Sequence, residues 1–130
     1  MRLLTLGYYD DFSRFFLALH NSIANSKDGL ISEHLAINLS GYLYWRLRSK
    51  NVSFVNPKIT SREPVDTYQG ISIQDCIEYE IHSEKKGTNI QSICLDYIDF
   101  YQKKIDSFNP DVVIISGDSR LSSKVLKLIC

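Results

Sequence analysis

Two adjacent acidic residues stand where an apolar run gives way to a helical pattern. Asp10 and Asp11 follow the apolar run 3–9 and precede residues with helical spacing. An aspartate at a helix start can accept hydrogen bonds from N–H groups of the first turn, although two acids exceed what one cap requires. A carboxylate there can also position or deprotonate a hydroxyl group. Either role is open, and Tyr8 and Tyr9 beside the pair offer aromatic surface for stacking or for core packing.

A second polar segment, Asn-Leu-Ser-Gly at residues 38–41, precedes a cluster of aromatic residues. Gly41 permits close backbone approach, and with Ser40 it is a candidate for contact with a substrate. Trp45 and Leu43 are predicted to be core residues, because large apolar side chains are usually buried.

A third segment, Ser-Gly-Asp-Ser-Arg at residues 116–120, reads as a tight turn between a strand and a helix. Gly117 ends the strand, and Asp118 or Ser119 is expected to cap the helix that follows. The guanidinium of Arg120 could bind a carboxylate or phosphate at this helix end, which itself attracts anions. A surface salt bridge is the equally acceptable alternative for Arg120.

Strand and helix patterns alternate along the chain and define the fold class. Strands are predicted at 3–9, 35–39, 52–55 and 112–115, the last as a central strand because it is four β-branched residues in a row. Helices are predicted at 12–23, 42–48, 71–80 and 90–105 and from residue 120, with a surface excursion at 56–70.

This alternation predicts a single α/β domain over residues 1–130, with a Rossmann-like, mainly parallel sheet and helices on both faces. Ligands of such sheets lie outside the carboxyl ends of the strands, so the three polar segments are expected to form one wall of a cleft. The final helix breaks off at Cys130. We therefore expect the chain to be truncated before a second domain.

Composition excludes several classes of function. The chain has 15 basic and 15 acidic residues, so no overall field favours nucleic acid or an anionic membrane. Its three cysteines lack a CxxC pair, which argues against a disulfide framework or zinc site and favours a reducing cytosol. GxGxxG, P-loop and GxSxG motifs are missing from the sequence.

The histidines and one basic run receive structural interpretations. His20, His34 and His82 have no ligand spacing, so each is predicted to be a surface or hydrogen-bonded histidine, and no metal is assigned. The basic run at residues 46–50 is typical of a solvated helix face, and contact with anionic lipid headgroups is the alternative.

Taken in order, the three segments resemble a known family, the capsular polysaccharide biosynthesis and export glycosyltransferases that transfer Kdo, an acidic eight-carbon sugar, onto a lipid. The matching stretches are DFSRFFLAL at 11–19, INLSGYLYW at 37–45 and NPDVVIISGDSR at 109–120. The family often has proline and histidine soon after the arginine, where this chain has Leu-Ser-Ser at 121–123.

The resemblance implies a two-domain enzyme of the GT-B type, of which this chain is the N-terminal, acceptor-side half. The donor, a sugar nucleotide such as CMP-Kdo, would bind mainly to the C-terminal domain, and transfer would need no metal or other cofactor. Asp10 or Asp11 would position or activate a hydroxyl of the lipid or glycan acceptor, and Arg120, oriented by Asp118, would hold an anionic group. The substrate-binding residues expected on this basis are Tyr8, Tyr9, Ser40, Gly41, Gly117, Asp118, Ser119 and Arg120.

The same resemblance implies a cytoplasmic protein, peripheral at the inner membrane, that works with other capsule-assembly proteins and binds no nucleic acid. Two readings from other classes stay open. A receiver-type signalling domain would also place an acidic pair after its first strand. A non-catalytic binding domain would have the same fold without enzymatic activity.

Overall fold

The computed structural model describes residues 1–26, 28–48, 51–56, 62–81, 90–117 and 120–130. They form two compact units, the first comprising Met1–Asn56 with Phe108–Ser116 and the second Pro57–Ser107 with Gly117–Cys130. The prediction of one domain over residues 1–130 stays a prediction. Along the described chain the elements are β1 (Arg2–Gly7), α1 (Asp10–Ser26), β2 (Ile31–Ala36), α2 (Leu39–Arg46), β3 (Val52–Phe54), β4 (Thr67–Tyr68), β5 (Ile71–Ser72), α3 (Ile73–Ile81), α4 (Ile90–Phe108), β6 (Val112–Ile115) and α5 (Leu121–Ile129).

A parallel sheet in the order β3-β2-β1-β6 forms the centre of the first unit. In β1, Leu3 pairs with Ser32 of β2 on one side and with Val112 of β6 on the other. Leu4 and Leu6 are fully buried, as expected of a strand covered on both faces. The predicted α/β class with a Rossmann-like parallel sheet is therefore confirmed.

The second strand differs from its prediction. It occupies Ile31–Ala36 instead of 35–39, and α2 begins at Leu39, where the sequence had suggested strand. Asn38 explains the change, because its side-chain oxygen accepts a hydrogen bond from the backbone N–H of Gly41 at 2.8 Å and so caps α2. The strand itself contains the polar residues Glu33 and His34, so it lacks the apolar run that is typical of a buried strand.

The β-branched run at 112–115 does form a strand, but its place in the sheet was predicted wrongly. Among the described residues, β6 pairs with β1 alone and lies at one end of the strand order. Val112 is accordingly 41% exposed. A continuous β-branched run therefore indicates the strand without indicating its position.

The second unit combines an antiparallel hairpin with three helices. Strands β4 and β5 are joined by Gln69 and Gly70, both with positive φ, and α3 contacts α5. The predicted helices at 90–105 and from residue 120 are confirmed as α4 and α5, and the helix predicted at 71–80 is confirmed as α3 from Ile73 onwards. The hairpin was missed, because β4 lies in the predicted excursion and β5 occupies Ile71–Ser72. In α4 the helix ends just before Asn109, which adopts a positive φ of 47° ahead of Pro110.

Within the described part of the chain, each helix is either too short or too polar to cross a bilayer.

Candidate functional site

Hydrogen bonds join the tips of three neighbouring strands in the first unit. The backbone N–H of Tyr8, just after β1, donates to Ser116 Oγ at 3.1 Å, just after β6. The carbonyl of Tyr8 accepts from Asn38 Nδ2, after β2, also at 3.1 Å. The first two polar segments and the beginning of the third thus meet at the carboxyl edge of the sheet, where ligands of such folds bind.

A second link at this edge joins the two helices that follow β1 and β2. The hydroxyl of Ser40 donates to Asp10 Oδ1 at 2.6 Å, and both residues are exposed. A hydrogen bond from a hydroxyl group to a carboxylate is of the stronger, charge-assisted kind. It is also the arrangement that a carboxylate would make with the hydroxyl of a bound substrate.

The acidic pair lies inside α1 and not ahead of it. Tyr9 provides the first carbonyl acceptor of the helix, for the N–H of Ser13 at 3.1 Å, so Asp10 and Asp11 occupy the first turn. The prediction that one of them precedes the helix as its cap is therefore wrong. Their negative charge still stabilises the positive end of the helix dipole. The pair remains exposed, with carboxylate oxygens accessible from solution.

Aromatic side chains adjoin the acidic pair. Tyr9 is 51% exposed and Phe12 is 40% exposed, with ring centroids 6.4 Å apart. Tyr8 is half-buried and meets Tyr9 edge to face, at 4.8 Å between ring centroids. Tyr9 therefore presents open ring surface beside the carboxylates, whereas Tyr8 contributes mainly its backbone.

Gly41 allows a close approach, but the approach is to other parts of the protein. It is buried, and a methyl group at this position would lie 2.5 Å from both Ser13 Oγ and Asn38 Oδ1. The glycine thus lets α2 pack against α1. Of the predicted core residues nearby, Trp45 is buried as expected, whereas Leu43 is 49% exposed and its prediction is wrong.

The third segment is divided between the two units. Ser116 belongs to the first, while Gly117, which is exposed and has a φ of 79°, begins the last part of the second. Asp118 and Ser119 lie outside the described residues. The N-cap of α5 is Arg120, not Asp118 or Ser119, and its side chain makes no capping hydrogen bond.

Arg120 is exposed and belongs to the second unit, whereas Asp11 belongs to the first. The expectation that these two residues face each other across a cleft stays a prediction.

Beneath the candidate site, the first unit contains a buried group of polar side chains that the sequence did not suggest. Thr5 Oγ1 contacts His20 Nε2 at 3.0 Å and His34 Nδ1 at 2.9 Å. Ser13 Oγ lies 3.4 Å from the other nitrogen of His34. Burial lowers the pKa of His20 to about 4, and burial together with the neighbouring His20 lowers the pKa of His34 to about 3. Both rings are therefore neutral at physiological pH.

The indole of Trp45 completes this buried group. Its N–H donates to the carbonyl of Ser13 at 2.8 Å, and its ring meets that of His20 in a T-shaped contact, with 4.9 Å between the ring centroids. Each histidine was predicted to be either a surface or a hydrogen-bonded residue, and His20 and His34 are hydrogen-bonded and buried. His82 lies outside the described residues. Gly7 makes room for His34, since a methyl group there would lie 2.9 Å from His34 Cε1.

Two further features bear on ligands. Among the described residues, no group of three or more His, Cys, Asp or Glu side chains is arranged to hold a metal ion. A surface cavity of about 320 Å³ lies at the opposite, amino edge of β2 and β3, and Glu33, Asn51 and Ser53 contribute to its lining. The hydroxyl of Ser53 donates to Glu33 there. No spacing in the sequence pointed to this cavity.

No protein family model, curated protein or solved structure matches this chain.

Proposed function

We propose that the carboxyl edge of the first unit binds the acceptor of a glycosyl transfer, and that the complete protein is a glycosyltransferase of capsular polysaccharide biosynthesis. The hydrogen bond from Ser40 to Asp10 is the main support, because an exposed carboxylate in the first turn of α1 already accepts a hydrogen bond from a hydroxyl group. An acceptor sugar would offer a hydroxyl of the same chemistry. Asp10, or Asp11 beside it, would take the proton as the glycosidic bond forms.

The aromatic surface next to the acids fits the same class of acceptor. Tyr9 and Phe12, which flank Asp10 and Asp11 in the sequence, are both partly exposed, and aromatic side chains provide apolar contact area. A sugar ring also combines an apolar face with hydroxyl groups at its rim. A purely apolar ligand would gain nothing from the carboxylates.

On the donor side the proposal follows the family resemblance. A second domain would bring a sugar nucleotide, CMP-Kdo in the first instance, against the acceptor edge in a GT-B arrangement. The resemblance implies that positive groups and helix ends would then stabilise the negative charge of the leaving phosphate.

The receiver-type alternative has less support. Such a domain needs an aspartate at the end of its third strand, and β3 is followed by Val55 and Asn56. The next aspartate along the chain is Asp66.

The test is a transfer assay on the complete protein encoded by the gene that includes this chain. We expect Asp10→Asn or Asp11→Asn to lower the rate of CMP-Kdo consumption about 100-fold or more, the usual effect of losing a general base. Asp28→Asn, an exposed acid beyond the far end of α1, is the matched control and should leave the rate unchanged. Unchanged consumption in both Asp10→Asn and Asp11→Asn would overturn the proposal.

A further inference from the structure

Helix α2 exposes a line of leucines. Leu39, Leu43 and Leu47 are 58%, 49% and 82% exposed. Because they are spaced by four residues, they lie along one face of the helix and its carboxyl cap. The opposite face is occupied by Gly41 and Trp45, which are buried. Isolated exposed leucines are common on protein surfaces, but two on a helix of eight residues and a third at its carboxyl cap leave one face apolar.

The charges around this leucine face have opposite signs at its two ends. At the amino end, Asp10 is bonded to Ser40 in the first turn of α2, and Asp11 follows it. At the carboxyl end, Arg46 and Arg48 are both exposed. The leucines therefore lie between an acidic end and a basic end.

The basic end is held in place by an aromatic contact. The guanidinium carbon of Arg48 lies 3.9 Å from the ring centroid of Tyr44, and an Arg48 N–H donates to the carbonyl of the same residue at 3.2 Å. Arg14 of α1 lies over the same ring at 5.6 Å. Such cation–π contacts hold the charges close to the leucine face.

We propose that a second copy of this chain covers the leucine face, with the two α2 helices antiparallel about a twofold axis. A twofold axis brings the same patch from each copy together end to end. Leucines then meet leucines, while the arginines of each copy meet Asp10 and Asp11 of the other, so that dimer formation and acceptor binding would compete for these carboxylates. A patch with opposite charges at its ends is complementary to itself in this orientation.

An anionic lipid surface fits the same features less well. It would attract Arg46 and Arg48, but it would repel the carboxylates at the other end of the patch. The chain as a whole has no net charge to add to the attraction. Charge complementarity therefore favours the second copy over a membrane.

The oligomeric state in solution provides the first test. A helix of eight residues is about 12 Å long, so the contact is small and the dimer should be reversible. We expect sedimentation velocity to show a growing dimer fraction over a concentration series from about 1 to 100 μM. Leu43→Glu should leave a monomer throughout the series, while Leu128→Glu, at a 45% exposed leucine of α5, should still dimerise. Circular dichroism of each variant checks that it is folded.

A charge exchange provides the second test. Arg46→Glu alone places acids against acids, so we expect the dimer fraction at 100 μM to fall at least several-fold. Adding Asp11→Arg restores opposite charges across the twofold axis and should restore the dimer. Failure of the double variant to recover, with both variants folded, would overturn the antiparallel arrangement.

Flotation with phosphatidylglycerol vesicles separates the remaining outcomes. A protein that stays monomeric at 100 μM and floats with the vesicles would show that the leucine face meets a membrane. A protein that stays monomeric and does not float would also overturn the proposal, as would a dimer that survives Leu43→Glu.

Discussion

The imidazole of His34 lies flat against the indole of Trp45, with ring centroids 4.4 Å apart and an interplanar angle of 9°. Both side chains are fully buried in the first unit, and His34 has Thr5 as its nearest hydrogen-bond partner at 2.9 Å. A charged imidazolium in this position would have to be taken out of water. The stacking of His34 on Trp45 in the core therefore favours the neutral form of the imidazole.

We expect the first unit to lose stability as the pH falls below about 6.5. The folded-state pKa values of His20 and His34, about 4 and about 3, lie below the ordinary value of 6.5. The unfolded chain therefore binds more protons than the folded chain in this range, and the stabilisation that is complete above pH 6.5 declines towards the folded pKa values. At pH 5 the loss should be about 2 kcal/mol for each histidine.

Urea unfolding at pH 7.5 and at pH 5 measures this effect, with the fluorescence of Trp45, the only tryptophan, as the probe. His20→Gln should reduce the pH dependence, because one of the two groups no longer titrates. Equal free energies of unfolding at the two pH values would contradict the prediction.

Gly41→Ala should destabilise the first unit despite its position in a helix. Alanine normally stabilises a helix by about 1 kcal/mol relative to glycine. Here the added methyl group would meet Ser13 Oγ and Asn38 Oδ1, each at 2.5 Å, and overpacking of this kind costs about 1–3 kcal/mol. Urea unfolding should therefore show a net loss for Gly41→Ala. Ser22→Ala at an exposed position of α1 is the control, and it should be neutral or slightly stabilising.

Arg62→Ala should loosen the hairpin β4–β5. The guanidinium of Arg62 lies 2.9 Å from Asp96 and 2.8 Å from Asp99, both on α4, and the hydroxyl of Tyr68 in β4 donates to Asp99 at 2.9 Å. Because Arg62 is about one third exposed, we expect a loss of about 1–2 kcal/mol, below that of a fully buried pair. Amide hydrogen exchange at residues 67–72 should become faster, and exchange as slow as in the unaltered protein would count against this role.

The thiols should differ sharply in reactivity. Cys76 and Cys94 are buried, at 1% and 0% exposure, whereas Cys130 is exposed. A hydrogen bond with Cys76, in which the Cys94 thiol keeps its proton, and burial both raise the pKa of Cys94, which further limits formation of its thiolate. Ellman's reagent should titrate one thiol in the native protein and three in urea. Cys130→Ser should abolish the native signal, and a rapid reaction of that variant would show that a second thiol is accessible.

The sequence was sufficient for elements whose pattern is local. The apolar run of β1, the helical spacing of α1 and the β-branched run of β6 each specify an element without reference to the rest of the chain. The convergence of three strand tips followed from the parallel order alone, since the carboxyl ends of parallel strands share one edge.

The buried polar group required tertiary information. Glu33 and His34 make β2 look like a loop, and only the contacts of His34 with Thr5 and Trp45 make a polar strand stable at that position. The spacing of these residues along the chain has no regular period. The wrong prediction that Leu43 is a core residue has the same cause. Gly41 and Trp45 form the side of α2 that is buried, and the sequence alone does not show which side that is.

The hydrogen bond from the backbone N–H of Tyr8 to Ser116 Oγ joins residues that are 108 positions apart in the sequence. Strand β6, which Ser116 follows directly, can pair with β1 only after most of the chain has been synthesised, because two strands that are distant in sequence cannot pair until both exist. During translation the acidic pair would therefore emerge early beside an unfinished sheet edge. A chain interrupted before residue 112 would carry Asp10 and Asp11 without the strand that completes their surroundings.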